Sequence, residues 1–410
     1  MRAAEAVSTA ATAAPLEVLV PADIRFPLER ANGVQIVKTA AALARAGAAV
    51  TLFVRRSDAR ATEEILALYG VAPHPRLHVR RASVGHRRGS NLVPRALFLA
   101  RALVSSLAAL RRGAVVFTRD LQLADALARL RPSRGRLVYE AHAVEALMYR
   151  ERGQLYGAAA PVQESKARRL AARERRVWKA ASAFVTTTRG IRETFEETHG
   201  ARAHTRVIPN GCDVPEDRTF PGLPADGPRR VLYAGQLYPW KGVDVLVEAM
   251  TRVPEGRLVI LGGLEGESDW KRIHALVETR GLRARTETPG TVPQVRVADE
   301  LRRATVVAVP FLRSTMTERH TSPIKAFEAM AAGRAIVATD LPSSREFLRH
   351  EENALLVPPG DVDALAAALG RLLADPALAE RLARTAYGEA PRFSWDARGQ
   401  AIRELLAEVA

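Results

Sequence analysis

An α/β chain of two doubly wound parallel sheets is the fold class this sequence predicts, on three observations. Short β-branched runs alternate with alanine- and leucine-rich helical stretches from end to end. That alternation builds parallel sheets covered by helices on both faces. At 410 residues the chain is too long for one ordinary hydrophobic core. Near its middle, IPNGCDVPEDRTFPGLPADGP (208–228) is rich in Pro, Gly and Asp and breaks the periodicity.

In order before the break, the strands read LEVLV (16–20), VTLFV (50–54), LHVRR (77–81), VVFT (115–118), LVYEA (137–141) and AFVTTT (183–188). After it they read RRVLYAG (229–235), RLVILGG (257–263), VVAVP (306–310), AIVATD (335–340) and ALLVP (354–358). Too many strands for one comfortable sheet imply two Rossmann-like domains. The expected organisation is a disordered tail at 1–14, a first domain at 15–207, a second at 208–392 and an amphipathic helix at 393–410. The opening MRAAEAVSTAATAAP carries a glutamate and lacks a leucine-rich centre, so a secretory signal is not expected. No uncharged apolar run is long enough to span a bilayer.

Hydrophobic content of 47% and charged content of 26% fit a soluble globular protein. The single cysteine, Cys212, excludes a disulfide framework and a cysteine-rich metal site. It fits a reducing, cytoplasmic compartment. The formal charge of +16 is uneven: from Ile65 to Arg119 there is no Asp or Glu, while Arg80, Arg81, Arg87, Arg88, Arg95 and Arg101 fall in that window. Such a field favours phosphate-bearing ligands, anionic lipid or nucleic acid, unless arginine richness is only a compositional habit. Within it, residues 90–112 form an Arg-bearing amphipathic stretch. It would either lie on an anionic membrane or cover the sheet as an ordinary helix.

Ligands of open α/β sheets sit beyond the carboxyl ends of the strands, and candidate residues gather in those loops. In YAGQLYPWKGVD (233–244), a glycine loop with Gly235 and Gln236 leads to Lys241 just before a helix. A lysine beside free helix N–H groups suits an anion; a solvated surface lysine is the alternative. In TSPIKAFEAMAAG (321–333), Pro323 lies in the first turn of a helix, with free N–H groups near Thr321 and Ser322. Glu328 sits on or beside its apolar stripe, where a carboxylate needs a partner. That partner is either a pair of ribose hydroxyls or Lys325, three residues earlier. In ERANGVQIVKTAAALARAG (29–47), Gly33 admits close approach of a diphosphate or merely makes a tight turn. His142 follows a buried strand and is either a sugar or acceptor contact or structural. Arg119 occupies the comparable place on the preceding strand, holding phosphate or pairing with Asp120 or Glu140. The turn Asn210-Gly211 marks the hinge between domains, and Cys212 is a packed residue with no base partner. GxxxxGK[ST], HExxH, GxSxG, GxGxxG and Cys/His metal spacings are all missing.

Taken together these stretches resemble the retaining GT-B glycosyltransferases of the family-4 type. The order matches along nearly the whole chain: the early glycine loop, the His after a strand, PNGCD, YAGQLYPWKG, VILGG, PGTV, SPIKAFEAMAAGRAIVATD, ENALLVPPGD and the closing FSW. The resemblance implies two Rossmann domains, a nucleotide-sugar held mainly by the second, and a last helix that crosses back to the first. It implies that Glu328 holds the ribose hydroxyls and Lys241 faces the diphosphate. Gly262 belongs to the nucleotide-sugar site, Gly290, Thr291 and Val292 flank the base, and Thr321, Ser322, Pro323 and Ile324 meet the pyrophosphate or sugar. His142 faces the donor sugar, so Lys241 and His142 are the candidate catalytic residues.

Two departures stand out. The family often shows two glutamates eight positions apart, and the earlier position here is His320. It often has an arginine after the loop glycine, and here that is Gln236, so Lys241 would act either with backbone dipoles or with an arginine supplied from elsewhere, such as Arg119 or Arg189. The implied reaction moves a sugar from a nucleoside diphosphate to an acceptor hydroxyl on a glycan, lipid-linked glycan or small metabolite. It retains configuration and uses no metal and no cofactor. Competing possibilities are a sugar-nucleotide epimerase of the same architecture and a basic nucleic-acid-binding protein. With 5% aromatics and no recognition motif, the last has little support.

Overall fold

The computed structural model describes residues 15–28, 31–84, 92–130, 136–156, 161–225 and 227–409. The expected tail at 1–14 and Arg87, Arg88, Ser90 and Asn91 of the basic window lie outside them.

Strands β1 (Glu17–Phe26), β2 (Ala49–Arg56), β3 (Leu77–Ala82), β4 (Val115–Thr118), β5 (Arg136–Ala141), β6 (Ala183–Thr186) and β7 (Thr205–Val207) form a seven-stranded sheet in the order β3-β2-β1-β4-β5-β6-β7. Strands β8 (Arg230–Ala234), β9 (Arg257–Leu261), β10 (Thr286–Gly290), β11 (Val306–Val309), β12 (Ala335–Thr339) and β13 (Leu355–Val357) form a six-stranded sheet, β10-β9-β8-β11-β12-β13. Neighbours run parallel throughout. Strand order reverses between β1 and β4 in one sheet and between β8 and β11 in the other, which places a ligand crevice at each switch point.

Central strands are wholly buried and read as continuous apolar runs, such as VVFT, VVAV and AIVAT. Two strands that the apolar runs do not reveal, β7 and β10, lie at sheet edges. Their sequences, TRV and TETPG, are polar and partly exposed, because an edge strand is covered less.

The helix Ala31–Arg45 is buried from Gly33 to Ala44. It is clamped between the first sheet and the terminal helix Trp395–Val409, which sends Trp395, Ile402, Leu405, Leu406 and Val409 into the first domain's core. A Cβ on Gly399 would stand 2.6 Å from the backbone of Ala42, so the two helices meet through bare backbone. The expected return of the last helix to the first domain is therefore present. Where the chain crosses between domains, the two passages are zipped together. Cys212 N–H donates to the Phe393 carbonyl at 2.8 Å, and Trp395 N–H donates to the Cys212 carbonyl at 3.0 Å.

The helix Leu92–Arg111 is long and apolar enough to cross a membrane by length and composition, although Arg95 and Arg101 interrupt it. It lies along the first sheet, burying Phe98, Ala102, Ser106, Ala109 and Leu110.

Candidate functional site

The two domains enclose a crevice of about 470 Å³ at the carboxyl ends of β8, β9 and β11 and facing the start of the helix Ala31–Arg45. Its floor is built from glycine. A Cβ on Gly262 (φ +123°) would stand 1.8 Å from the Gly235 carbonyl oxygen, so the β8 and β9 ends approach as closely as backbone allows. Gly262 N–H donates to the Gly290 carbonyl at 2.8 Å, which ties in the end of β10.

Lys241 closes a short 3₁₀ turn, Pro239–Lys241, after the β8 loop. Its ammonium lies 4.0 Å from the Trp240 ring centre and 4.5 Å from that of Phe311. Aromatic faces attract a cation but do not neutralise it. Burial, with no carboxylate to oppose it, lowers the Lys241 pKa to about 7. A desolvated cation facing a crevice, without a counter-ion among the described residues, suits an anionic ligand.

The opposite wall comes from the first domain. His142, just beyond β5, has Nε2 3.1 Å from Glu140 Oε2. Burial and the Arg119 charge push its pKa down to about 4, against the pull of Glu140, so the ring is neutral near pH 7. Arg119 lines the same wall and donates to Gln35 Oε1 at 2.9 Å. Of the partners expected if it were structural, Asp120 instead caps the following helix turn, accepting from Gln122 and Leu123 N–H.

The stretch 316–328 is arranged differently from expectation. The helix begins at Ile324, with Pro323 as its preceding extended residue, so the free N–H groups belong to the Ile324 turn and not to Thr321 and Ser322. Proline before the helix and the turn at Met316–His320 displace the head by a few residues. Thr321 Oγ1 donates to the Met316 carbonyl at 2.8 Å, and Ser322 Oγ accepts from Asn210 N–H at 2.9 Å. His320 is 2% exposed, and neither ring nitrogen has a hydrogen-bond partner among the described residues. Burial, then the nearby Arg319, lowers its pKa to about 4.

Of the residues singled out from sequence, Lys241, His142, Arg119, Gly235, Gln236, Gly262, Thr291, Val292, His320, Thr321, Ser322, Pro323 and Ile324 all line this crevice. Four stand apart. Gly33 is packed against the preceding loop: a Cβ there would meet the Leu28 carbonyl oxygen at 1.9 Å, which is reason enough for glycine. Gly290 ends β10, its carbonyl taken by Gly262 N–H. Arg189 is exposed on a helix start, where its N–H donates to Glu346. Glu328 lies one turn behind the wall, 11% exposed, accepting from Gln294 Nε2 at 2.5 Å, with Oε2 2.7 Å from Lys325 Nζ. The Lys325 pairing is thus real, yet Oε2 is buried without an aligned hydrogen bond. Both partners of Glu328 line the crevice.

Sequence reasoning did not single out Gln35, Gln294 or the aromatic lining of Tyr156, Tyr238, Trp240 and Phe311, and it read Asn210 as a hinge residue and not as part of the crevice wall. Tyr238 and Trp240 flank Lys241 within YPWKG and were legible there. Gln294 carries no local signal. Tyr156 meets Tyr238 edge-on, ring centres 5.3 Å apart, across the mouth of the crevice.

Comparison with known proteins agrees with this arrangement. A model described as Glycosyltransferase Family 4 matches residues 33–216, and one described as Glycosyl transferases group 1 matches residues 228–375. A D-inositol 3-phosphate glycosyltransferase of Xylanimonas cellulosilytica is 36% identical over 254 residues, 57% of this chain and 59% of that protein. The chain thus spans less than two thirds of that relative's length. Among solved structures, sucrose-phosphate synthase from Thermosynechococcus elongatus superposes with a TM-score of 0.75 at 23% identity, covering 96% of this chain and 98% of that one. Anabaena HepE, solved in complex with UDP-glucose, superposes with a TM-score of 0.69 at 18% identity, covering 96% and 100%. At such identities it is the GT-B fold that is shared.

Proposed function

This chain belongs to the family-4 glycosyltransferases of the GT-B fold, and on that premise we propose that it transfers a sugar from a nucleoside diphosphate to an acceptor hydroxyl with retention of configuration. The observation that carries this reading is Lys241: a half-buried, desolvated ammonium without a carboxylate partner among the described residues, at the carboxyl end of the first strand of the second sheet. As the glycosidic bond breaks, negative charge grows on the departing diphosphate. Lys241 and the N–H groups of the Ile324 turn would meet that charge, and one such donor is typically worth roughly 3–4 kcal/mol of barrier.

Retention is supported by what faces the transferred sugar. Among the described residues lining the crevice there is no Asp or Glu. Those residues thus supply neither a carboxylate nucleophile nor a carboxylate base, and a histidine with a pKa of about 4 is a weak base. The departing diphosphate would itself take the acceptor's proton on the face it leaves. No metal is assigned a role, since Lys241 occupies the place of the counter-cation. Glu328 would exchange its bonds to Lys325 and Gln294 for the ribose hydroxyls, and Thr291 and Val292 would flank the base. A thermal-shift panel of UDP-, GDP- and ADP-sugars identifies the donor. The anomeric configuration of the product, read by NMR, tests retention. Conversion of the donor without any acceptor would favour an epimerase instead.

A second element of the reading concerns the acceptor. The helix Leu92–Arg111 leaves Leu92 77% and Val104 68% exposed, with Val93 and Leu97 also in solvent. Arg80, Arg81 and Arg101 line a groove beside it. An apolar row flanked by cations suits an anionic bilayer surface, bringing a lipid-linked acceptor to a cytoplasmic enzyme. Flotation with anionic but not neutral liposomes is expected. Equal binding to both, or to neither, would remove the membrane from the proposal.

A further inference from the structure

Beneath His142 lies a buried ion pair that joins distant parts of the chain, Glu140 at the end of β5 and Arg398 on the terminal helix, both almost wholly inaccessible. Replacing such a pair by apolar residues is often neutral or stabilising, so stability alone does not account for it. Its geometry is specific. Arg398 Nη2 donates to Glu140 Oε1. Its Nε donates to Thr39 Oγ1 at 3.0 Å, and its Nη1 to the carbonyls of Ile208 and Pro209, both at 2.7 Å. Glu140 also accepts from Gln35 Nε2, at 3.2 Å on Oε2. The same Oε2 is 3.1 Å from His142 Nε2, a buried nitrogen that makes no aligned hydrogen bond with any described residue, so the carboxylate acts on it through its charge at close range.

We propose that Glu140 and Arg398 are a positioning pair: the carboxylate fixes the tautomer and ring orientation of His142, and the guanidinium locks that carboxylate to the interdomain crossing. This rests on the reading that His142 faces the transferred sugar. A carboxylate held by an arginine only accepts, so the imidazole proton belongs on Nε2 and the lone pair on Nδ1. His142 thereby becomes an acceptor of fixed direction in the crevice wall. The pair also senses the hinge. Pro209, bound by Arg398, precedes Asn210, whose N–H and Nδ2 donate to Ser322 Oγ at 2.9 Å and to the Ser322 carbonyl at 2.8 Å. One short passage therefore touches the ion pair in the first domain and the crevice wall in the second. Rotation of the domains would pull on His142 through Arg398 and Glu140.

The test uses the full chain with ¹⁵N-labelled histidine, reading the ring by long-range ¹H–¹⁵N correlation and assigning His142 with His142→Gln. The expected signature at pH 7 is a neutral ring with its proton on Nε2. An Nδ1–H ring in the unmodified protein overturns the proposal without any variant. The second arm is Glu140→Gln/Arg398→Gln, which keeps shape and leaves no unpaired charge. It should lose the pure Nε2–H signature while binding UDP within about twofold of the parent. Turnover of the donor found by thermal shift should fall roughly 10–100-fold at unchanged KM. A double variant that keeps the parental tautomer overturns the proposal. Loss of the tautomer with turnover unchanged would uphold the pair's hold on the ring and count against His142 in the transfer reaction.

Discussion

Binding a nucleotide-sugar should draw a proton onto Lys241. With the Lys241 pKa lowered by burial to about 7 in the crevice, the ammonium is half deprotonated at neutral pH. A diphosphate beside it favours the charged form and raises the pKa of the complex. The sign follows: the complex holds more protons than the free protein above pH 7, so affinity must fall as pH rises. From pH 6 to 8.5 the protonated fraction drops roughly 30-fold, equivalent to about 2 kcal/mol of lost binding. Both phosphates of a nucleotide-sugar are ionised over that range. His142 and His320, lowered to about 4, do not titrate within it. Isothermal titration at pH 8 in two buffers of different ionisation heat should report uptake of about 0.9 proton per site. In Lys241→Met the uptake should vanish and the pH slope flatten. Uptake near zero in the parent, or an unchanged slope in the variant, would refute the assignment of Lys241 to the diphosphate.

Other consequences are open to simple measurements. Glu328→Ala should weaken a ribonucleotide by about 1.5–3 kcal/mol, the value of hydrogen bonds to a charged group, while a 2′,3′-dideoxy analogue should bind parent and variant alike by calorimetry. Equal losses for both ligands would take Glu328 off the ribose. His320→Ala should leave the nucleoside diphosphate alone unaffected and weaken the nucleotide-sugar about tenfold, because only the sugar would meet the buried imidazole; equal effects on both would place His320 elsewhere. Gly262→Ala forces a Cβ to within 1.8 Å of the Gly235 carbonyl oxygen at positive φ. It should lower unfolding free energy by more than about 3 kcal/mol in urea titration, and a loss below about 1 kcal/mol would show that the strand ends relax apart.

The fold was legible because its central strands are buried on both faces and therefore spell themselves out as apolar runs. The edges were not: β7 and β10 need polar residues where water reaches them, and TETPG contains a proline besides. The crevice was legible where its residues sit in short loops after those central strands, as with Lys241, His142 and Gly262. It was not legible where residues far apart in sequence converge. Nothing near Arg398 announces that its guanidinium reaches Glu140, 258 positions away, or that Gln35 joins Arg119 to the same carboxylate. Gly33 shows the opposite failure, a glycine fitting a phosphate loop whose backbone is bare for the sake of Leu28. Of the two partners expected for Glu328, Lys325 is the one seen, while one carboxylate oxygen stays buried without an aligned donor among the described residues.

The most direct test of the donor site is a crystal structure with the nucleotide-sugar selected by thermal shift. A diphosphate oxygen should lie within hydrogen-bond reach of Lys241 Nζ, and the Glu328 carboxylate should have left Lys325 to grip the ribose hydroxyls. A nucleotide bound outside the interdomain crevice, or one bound with Glu328 still held only by Gln294 and Lys325, would contradict it.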